Sequence, residues 1–380
     1  MTTVLRVPLE ESPVAVAAPY PGLDRLRAAG PAVRVQTSFM GEVWLVTRYE
    51  LARELLADLR FSRRRDDDGP VAAVDSDPPD HTRIRRLVRK AFTQRRIEEL
   101  RGWVQDLVDG MLDGLPTDRP IDLLDGFAYP LPIAVICEML GAPAEDRADV
   151  RARTEKILAG EVEENREEVY ERTRQYIEDL IAEKRRRPGT DLMSGLIAAR
   201  ENGEQLSEPE LVELGIALIA AGYATTTNLI GNGVHALLSH PDQHELLRQR
   251  PELIGSAVEE CLRFESSFSA AGQIAKEDVR LGDLLIRKGD VVLISFCGAN
   301  RDPAKFPDPG RLDITRDPNP HLAFSHGIHH CLGAPLARME AQVAIGTLIR
   351  RFPDLHLAGP VRWRENIMRG LHELPVQLGG

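Results

Sequence analysis

The stretch AFSHGIHHCLGAPLAR, from Ala323 to Arg338, decides how this chain folds and what it binds. Three histidines and one cysteine crowd around a glycine, and an amphipathic helical pattern follows at once. A cysteine just ahead of a helix N-terminus meets several backbone N–H groups, which stabilise the charged thiolate. Gly327 and Gly333 would let the backbone pass close beneath a flat macrocycle. The crowding therefore suggests metal chemistry, with the metal and its ligand still open.

Three kinds of chemistry compete for Cys331. A zinc site needs paired ligands a few residues apart, whereas His329, His330 and Cys331 are adjacent and no second pair exists. A catalytic cysteine would profit from the helix start, but no partner constellation accompanies it. The third interpretation is a thiolate ligand to haem iron, which pushes electron density onto the metal and favours O–O cleavage.

The spacing around Cys331 decides among them. Phe324, Gly327, His329, Cys331 and Gly333 match the pattern F-x-x-G-x-H-x-C-x-G at every fixed position. In this the stretch resembles the haem loop of the cytochromes P450. The resemblance implies a haem b cofactor with Cys331 as its iron ligand and His329 as a partner of a haem propionate.

Further cofactor contacts follow from the same resemblance. The segment DPPDHTRIRRLVRKAF, residues 77–92, is similar to the helix beneath the haem edge. There His81 and Arg85 would pair with propionates, because histidine and arginine form charge-assisted hydrogen bonds with carboxylates. His321 would be another propionate contact. Gln273 stands where the family commonly has a propionate-binding arginine, which puts the strength of haem anchoring in doubt.

A structural ion pair is expected behind the cysteine loop. Glu260 and Arg263, at i and i+3, share one helix face in AVEECLRF. In the family such a pair is buried and is joined by an arginine from a later meander. The segment ANRDPAKFPDPGRLDITR, residues 299–316, resembles that meander, and Arg311 is the predicted third member.

The sequence departs from the family in its predicted oxygen-activating helix. The family pattern A-G-x-(acid)-T matches at Ala221, Gly222 and Thr225, but Ala224 occupies the position of the acid. The acid and alcohol normally help to deliver protons. Three alternatives stay open: a hydroxyl or carboxyl of the substrate takes part, an ordered water chain works through Thr225, or the chemistry depends less on the relay, as in peroxide-driven oxidation or oxidative coupling.

The resemblance also indicates a substrate pocket. It would lie between the 61–80 loop and the 157–165 turn, and small side chains would leave room for a bulky ligand such as a macrolide, polyketide or peptide natural product. Tyr223 belongs to this lining by resemblance, although its position on the helix favours packing. The predicted lining residues are Ala220, Ala221, Tyr223, Ala224, Phe268, Ser269, Ala270, Ile367 and Met368.

Periodicity predicts a mainly helical chain. The segment 49–59 reads as an amphipathic helix, and a capped helix of roughly thirty residues runs from Ser207 to about Ser239. Strand signals are short, at 41–49 and in a hairpin-like pair over 279–296. We expect a mainly α fold with a small β portion (α+β).

The resemblance covers separated points from about Trp44 to Val376. It implies one cytochrome P450 domain over residues 1–380, with the long helix over the haem and the cysteine loop beneath it.

Composition limits the setting. The net charge of −11 argues against a nucleic-acid partner, and the four scattered cysteines fit a reducing compartment. No apolar run of 18 residues appears, and residues 1–18 lack the features of a targeting signal. We expect a cytoplasmic protein without a membrane anchor.

The expected activity is that of a monooxygenase. The resemblance implies that one oxygen atom from O2 enters a small-molecule substrate by hydroxylation or epoxidation. Electrons would come from a separate ferredoxin or flavodoxin that docks on the basic face at residues 81–96. A haem sensor or carrier without turnover is the alternative from another class, and the retained Thr225 argues against it.

Overall fold

The computed structural model describes residues 19–37, 41–64, 76–159, 166–200 and 203–379. Predictions about residues 1–18, residues 65–75 of the 61–80 loop and residues 160–165 of the 157–165 turn lie outside this part of the chain. Helices dominate it, as the periodicity predicts. They are α1 (Tyr20–Ala29), α2 (Tyr49–Ala57), α3 (Asp80–Ala91), α4 (Gln94–Asp113), α5 (Pro130–Leu140), α6 (Arg147–Ala159), α7 (Arg166–Arg186), α8 (Leu192–Ala198), α9 (Glu208–Leu238), α10 (Pro241–Gln249), α11 (Ile254–Phe264), α12 (Phe296–Ala299) and α13 (Ala334–Arg351).

The long helix α9 is the centre of the packing. Its predicted start is confirmed, because the Ser207 hydroxyl accepts from the Glu210 N–H while the Glu210 carboxylate accepts from the Ser207 N–H. The helix contacts α5, α7, α11 and α13. By length and composition α9 could cross a membrane, yet 61% of its most apolar window is buried inside the fold, as in a core helix.

The strands form one larger sheet and several small ones. Five strands lie in the order β1-β2-β8-β5-β3, with β2 and β8 parallel. The strands are β1 (Ala32–Thr37), β2 (Gly41–Val46), β3 (Phe61–Ser62), β4 (Ile121–Asp122), β5 (Ala270–Ala275), β6 (Val279–Leu281), β7 (Leu284–Ile286), β8 (Val291–Ser295), β9 (His356–Leu357), β10 (Arg362–Trp363), β11 (Leu371–Glu373) and β12 (Pro375–Gln377).

The hairpin predicted over 279–296 needs a correction. Only β6 and β7 pair as a hairpin, whereas β8 leaves it and lies between β2 and β5 in the larger sheet. The apolar run Val292, Leu293 and Ile294 is fully buried there. A run that is apolar at successive positions is typical of a strand covered on both faces, and a two-stranded hairpin cannot provide that cover.

A buried ion pair connects α11 to the segment that follows α12. Glu260 and Arg263 are fully buried and form two hydrogen bonds of 2.8 Å. The remaining Arg263 donors reach the backbone carbonyls of Asn300, Pro309 and Arg311 at 2.8–3.0 Å. One guanidinium therefore fixes three points of the meander.

The third member of this cluster is Arg316, and the prediction of Arg311 is wrong. The Arg316 Nε lies 3.2 Å from Glu260 Oε2, and the Asn319 amide donates to the same oxygen at 3.1 Å. Arg311 contributes only its carbonyl, and its side chain is exposed. The meander turns so that Arg316, and not Arg311, reaches Glu260, and sequence spacing does not reveal this turn.

This arrangement predicts unequal costs for three alanine substitutions. Glu260→Ala should lower the free energy of unfolding by about 3–5 kcal/mol, because Arg263 would stay buried without its counter-charge. Arg316→Ala should cost about 1–3 kcal/mol, and Arg311→Ala less than about 0.5 kcal/mol. Urea unfolding of the purified proteins measures the order. A larger loss for Arg311→Ala than for Arg316→Ala would contradict the assignment.

Candidate active site

Cys331 lies on a short loop that ends at the start of α13. The Cys331 N–H donates to the Phe324 carbonyl at 2.9 Å, which closes the loop. Desolvation by the surrounding protein raises the pKa of the Cys331 thiol, while the N–H groups of Gly333 and Ala334 and the charge of Arg85 oppose that rise. The helix start therefore provides the donors that the sequence predicts for a thiolate.

Exposure separates Cys331 from the other cysteines. Cys137, Cys261 and Cys297 are buried, whereas Cys331 is exposed. Burial raises the pKa of Cys137 to about 11 and that of Cys261 to about 12, so both stay protonated thiols. The described residues contain no group of three or more His, Cys, Asp or Glu side chains that could hold a bare metal ion. The site thus offers one accessible sulfur, which suits a prosthetic group that brings its own equatorial ligands.

Gly327 is required for a reason that differs from the predicted one. Its φ is +72°, and a Cβ there would lie 2.6 Å from the Leu56 carbonyl oxygen and 2.8 Å from the Ala57 Cα. The close approach is therefore to α2, so the role predicted for this glycine beneath a flat macrocycle is not needed to explain it. Ser325, at φ 63°, adopts the left-handed conformation that glycine tolerates best.

The fold brings together two distant histidines and an arginine beside the cysteine loop. The rings of His81 and His329 are 4.5 Å apart, centroid to centroid. Arg85, one turn after His81 on α3, donates to the carbonyl of His330. Burial lowers the pKa of His81, and the charges of Arg85 and Arg63 lower it further. Such a cluster of donors and positive charges is suited to carboxylates.

Gln273 supplies a test of whether a haem fits these residues. Its side chain is buried on β5, and its amide oxygen has no hydrogen-bond partner. The two ends of an amide are exchangeable by rotation, so the NH2 group can turn toward a carboxylate. Together with the accessible sulfur of Cys331 and the donors of His81, His329 and Arg85, this orphaned amide fits a thiolate-ligated haem with two propionates.

His321 does not belong to that donor cluster, and its predicted propionate contact is corrected. Its Nδ1 accepts from the Ala323 N–H at 3.2 Å, so Nε2 carries the proton and donates to Glu259 at 3.1 Å. Both ring nitrogens are thereby occupied. Burial alone would raise the pKa of Glu259, but hydrogen bonds from His321 and Arg338 lower it to about 2.

Arg338 also holds the aromatic residue of the loop. Its guanidinium lies 4.5 Å from the centre of the Phe324 ring and forms hydrogen bonds of 2.7 and 2.8 Å with Glu259. A cation over an aromatic face is attracted by the ring quadrupole. The sequence analysis missed both Glu259 and Arg338. Glu259 could have been noticed, because it directly precedes Glu260 of the predicted ion pair.

The open face of α9 carries small side chains. Ala220, Ala221, Ala224 and Thr225 are all partly or fully exposed, and they share one face by helical spacing. The Thr225 hydroxyl donates to the Ala221 carbonyl at 2.6 Å. Its lone pairs are left to accept a hydrogen bond, and the Ala224 position offers no carboxylate.

Tyr223 points elsewhere, and its assignment to the pocket lining is wrong. The phenol is 2% exposed and donates to Glu155 of α6 at 2.5 Å. Its ring lies 6.1 Å from that of Tyr129. The residue packs α9 against α6, because adjacent helical positions project about 100° apart.

Two segments predicted to line the pocket are joined to each other. The Ser269 N–H donates to the Ile367 carbonyl at 2.9 Å. Phe268 is partly buried against the core of the larger sheet, Ala270 is buried, and Met368 is half-buried. The structure thus places the 268–270 and 367–368 segments side by side.

A buried network that the sequence analysis did not identify fixes this wall. Arg369 is 3% exposed, pairs with Glu265 at 2.6 Å and lies over the Trp363 ring at 4.0 Å. The Asn232 amide of α9 donates to the Arg369 carbonyl at 3.0 Å. A Cβ at Gly370 would lie 2.1 Å from Asn228 Oδ1, so any larger residue there would have to displace the Asn228 side chain.

The basic helix α3 is partly neutralised. Arg83 pairs with Glu210, and Arg86 pairs with Glu204. Arg89 is exposed on the same helix. The 81–96 segment therefore presents less free positive charge than its sequence indicates.

Comparisons with known proteins identify the family of this chain. Residues 127–359 match the model of the Cytochrome P450 family. The chain is 44% identical to vitamin D(3) 25-hydroxylase of Pseudonocardia autotrophica, over 95% of this chain and 94% of that one. It is 45% identical to cytochrome P450 monooxygenase PikC of Streptomyces venezuelae, over 94% and 91%. The solved structure of PksS, the cytochrome P450 of the Bacillus subtilis 168 bacillaene polyketide synthase, superposes with a TM-score of 0.91 at 40% identity, over 95% and 97%.

Proposed function

The chain belongs to the cytochrome P450 family and is a monooxygenase, and on that premise we propose that Cys331 ligates its haem iron and that it oxidises a bulky macrolide or polyketide. The observation that carries the ligand assignment is the single exposed thiol at the start of α13. The sequence has no C-x-x-C pair for covalent attachment, so the haem would be haem b. When bound, a thiolate-ligated haem supplies the activation of dioxygen.

The residues of this chain would hold the haem from two sides. Cys331, with the N–H groups of Gly333 and Ala334 beside its sulfur, would provide the thiolate charge to the iron. His81, Arg85 and His329 would donate to the propionates, with Gln273 as a neutral fourth donor. Such donors orient the carboxylates and tune the redox potential.

Proton delivery is the step in which this chain departs from its family. Because Ala224 cannot carry a proton, the Thr225 oxygen would accept a hydrogen bond from a water or from a hydroxyl of the substrate. A hydroxylated substrate would then complete the relay that the protein lacks. The same alanine favours a second candidate function, a peroxide-driven oxidation in which the relay matters less.

The substrate class rests on the shape of the distal side. The short side chains of Ala220, Ala221 and Ala224 leave space above the open face of α9. The 268–270 and 367–368 segments would form the opposite wall of the pocket. Small side chains at several lining positions favour a large apolar ligand over a small one. Macrolide and polyketide scaffolds, of the kind associated with PksS, combine that size with hydroxyl groups.

A spin-state titration tests the proposed function. The ferric holoenzyme is titrated with hydroxylated macrolactones, their deoxy analogues and a cyclic peptide, and the Soret band is recorded. We expect a low-to-high-spin shift with a macrolactone, because its bulk would displace water from the iron. Cys331→Ser should lose the thiolate type of spectrum altogether. A flat response to every macrolactone, or an unchanged spectrum in Cys331→Ser, would contradict the proposal.

We propose that the redox partner docks on the surface around the cysteine loop, next to the basic helix α3. Arg85 of α3 contacts the His330 carbonyl there, Arg89 is exposed on the same helix, and Arg53 is exposed on α2. The charge of Arg53 lowers the pKa of His326 on the same loop, after desolvation as the larger cause. An acidic ferredoxin or flavodoxin is complementary to such a patch. Arg83 and Arg86 contribute less, because glutamates of the 204–210 segment pair with them.

A charge-reversal pair tests this docking surface. Arg89→Glu should slow electron transfer from an acidic [2Fe–2S] ferredoxin several-fold at low salt, since steering by charge weakens. Arg248→Glu is the matched control, because Arg248 of α10 lies outside residues 81–96, is exposed and already pairs with Glu245. Stopped-flow reduction at several ionic strengths gives both rates. Equal effects of the two variants would move the docking site away from α3.

We also propose that residues 1–380 form one catalytic domain in the cytoplasm. The continuous hydrophobic core that joins α3–α5 to α9, α11 and α13 supports one cooperative unit. Reduced, scattered cysteines support the reducing compartment.

A further inference from the structure

The neutral Gln273 lies close to the cation that directly follows the neighbouring strand. Strands β3 and β5 are antiparallel, with Phe61 opposite Ala275 and Ser62 opposite Ile274. Arg63 follows Ser62 just after the end of β3, and Gln273 precedes Ile274 on β5. Because Ser62 and Ile274 are paired and the strands are antiparallel, Arg63 and Gln273 leave that pair in the same direction. A cation thus stands next to the stretch of β5 that carries the neutral Gln273.

The start of α3 is fastened to the same strands. Lys276 lies directly after β5. Its ammonium group pairs with Asp77 at 3.6 Å, and its backbone N–H donates to the Arg60 carbonyl at 2.9 Å. The Asp77 carbonyl in turn accepts from the His81 N–H at 3.0 Å. These bonds hold His81, and with it Arg85, close to the end of β3.

Electrostatics agree with this proximity. Burial is the largest cause that lowers the pKa of Arg85, the charge of Arg89 follows, and Arg63 acts in the same direction. Arg63 also lowers the pKa of His81, after desolvation and Arg85. Two arginines, Arg63 after β3 and Arg85 on α3, therefore lie within each other's field, beside the ring of His81. Such convergence is stabilised when an anion occupies the space between them.

We propose that Arg63 is a haem-propionate ligand, which acts with His81 and Arg85 and supplies the positive charge that Gln273 does not carry. This inference rests on the proposed function, because the anion is the carboxylate of the bound haem. It assigns to β3 a positioning role for the cofactor, because the residue that follows its last position, Ser62, supplies the cation beside β5.

Charge exchange across the strand pair tests the proposal. Haem transfer from the holoenzyme to excess apomyoglobin and the ferric/ferrous reduction potential are measured for Arg63→Gln and for Arg63→Gln combined with Gln273→Arg. Arg63→Gln should lose haem about tenfold faster, the worth of one charge-assisted hydrogen bond. Its potential should fall, because reduction adds negative charge. The double variant should return both values to within about twofold of the original protein.

Two further variants keep the outcome decisive. Arg60→Gln removes the same charge from an exposed position that pairs with Asp58 and should leave haem loss unchanged. Arg63→Lys keeps the charge and should hold haem better than Arg63→Gln, even if the glutamine variant folds poorly. Equal haem loss in Arg63→Gln and Arg60→Gln, or a double variant that restores nothing, would overturn the inference. A parent protein without a thiolate-type haem spectrum would instead overturn the proposed function.

Discussion

The position of Cys331 depends on one buried ion pair on another helix. Glu260 holds Arg263 inside the protein, and the free donors of Arg263 fix the carbonyl of Asn300 at 3.0 Å. The Asn300 side chain then accepts from the Leu322 N–H at 2.7 Å, at the entry to the cysteine loop. Burial of an ion pair costs desolvation energy, and removal of only one partner strongly destabilises the fold because the other charge stays buried. That constraint gives the loop a fixed base far from solvent.

From this base the loop is fastened at each side of the sulfur. Glu259, His321 and Arg338 tie its beginning to α11 and α13, and Arg85 contacts its end at the His330 carbonyl. Gly327 presses against α2 so closely that a side chain would not fit. The proximal side is thus over-determined, as expected where a single ligand atom has to stay in place. The distal side differs: its α9 face consists of alanines and one threonine.

This asymmetry explains how one fold can keep its chemistry and change its substrate. The rigid side would hold the iron and the haem carboxylates in place. The short side chains on α9 would leave it to the substrate to fill the pocket and to help supply protons. Without an acid at Ala224, the protein would depend on its substrate for part of the relay. A substrate with a well-placed hydroxyl would then be oxidised efficiently, and one without it would waste electrons as peroxide.

Much of this could be predicted from the sequence, because the signals are local. The capped helix α9 and the mainly helical fold follow from periodicity and capping, and the Cys331 motif is contiguous. What sequence could not reveal depends on chain reversals. The meander brings Arg316, and not Arg311, to Glu260.

Three other outcomes came from contacts between distant elements. His321 forms a hydrogen bond with Glu259, and Tyr223 forms one with Glu155. Gly327 packs closely against the backbone at the end of α2. None of these partners is specified by spacing, since each belongs to a helix whose placement only the whole packing determines. The short strand β3 is a further case, because its pairing with β5 is what brings Arg63 close to Gln273.

The most direct measurement of this account is the yield of product per electron in the original protein and in Ala224→Glu. Both are reconstituted with ferredoxin and reductase and given a hydroxylated macrolactone and its deoxy analogue, with Ala224→Gln as the uncharged control. We predict efficient coupling in the original protein only with the hydroxylated compound. Ala224→Glu, but not Ala224→Gln, should raise the yield on the deoxy analogue and lower peroxide release. Equal coupling of both compounds in the original protein, with no gain in Ala224→Glu, would contradict a relay completed by the substrate.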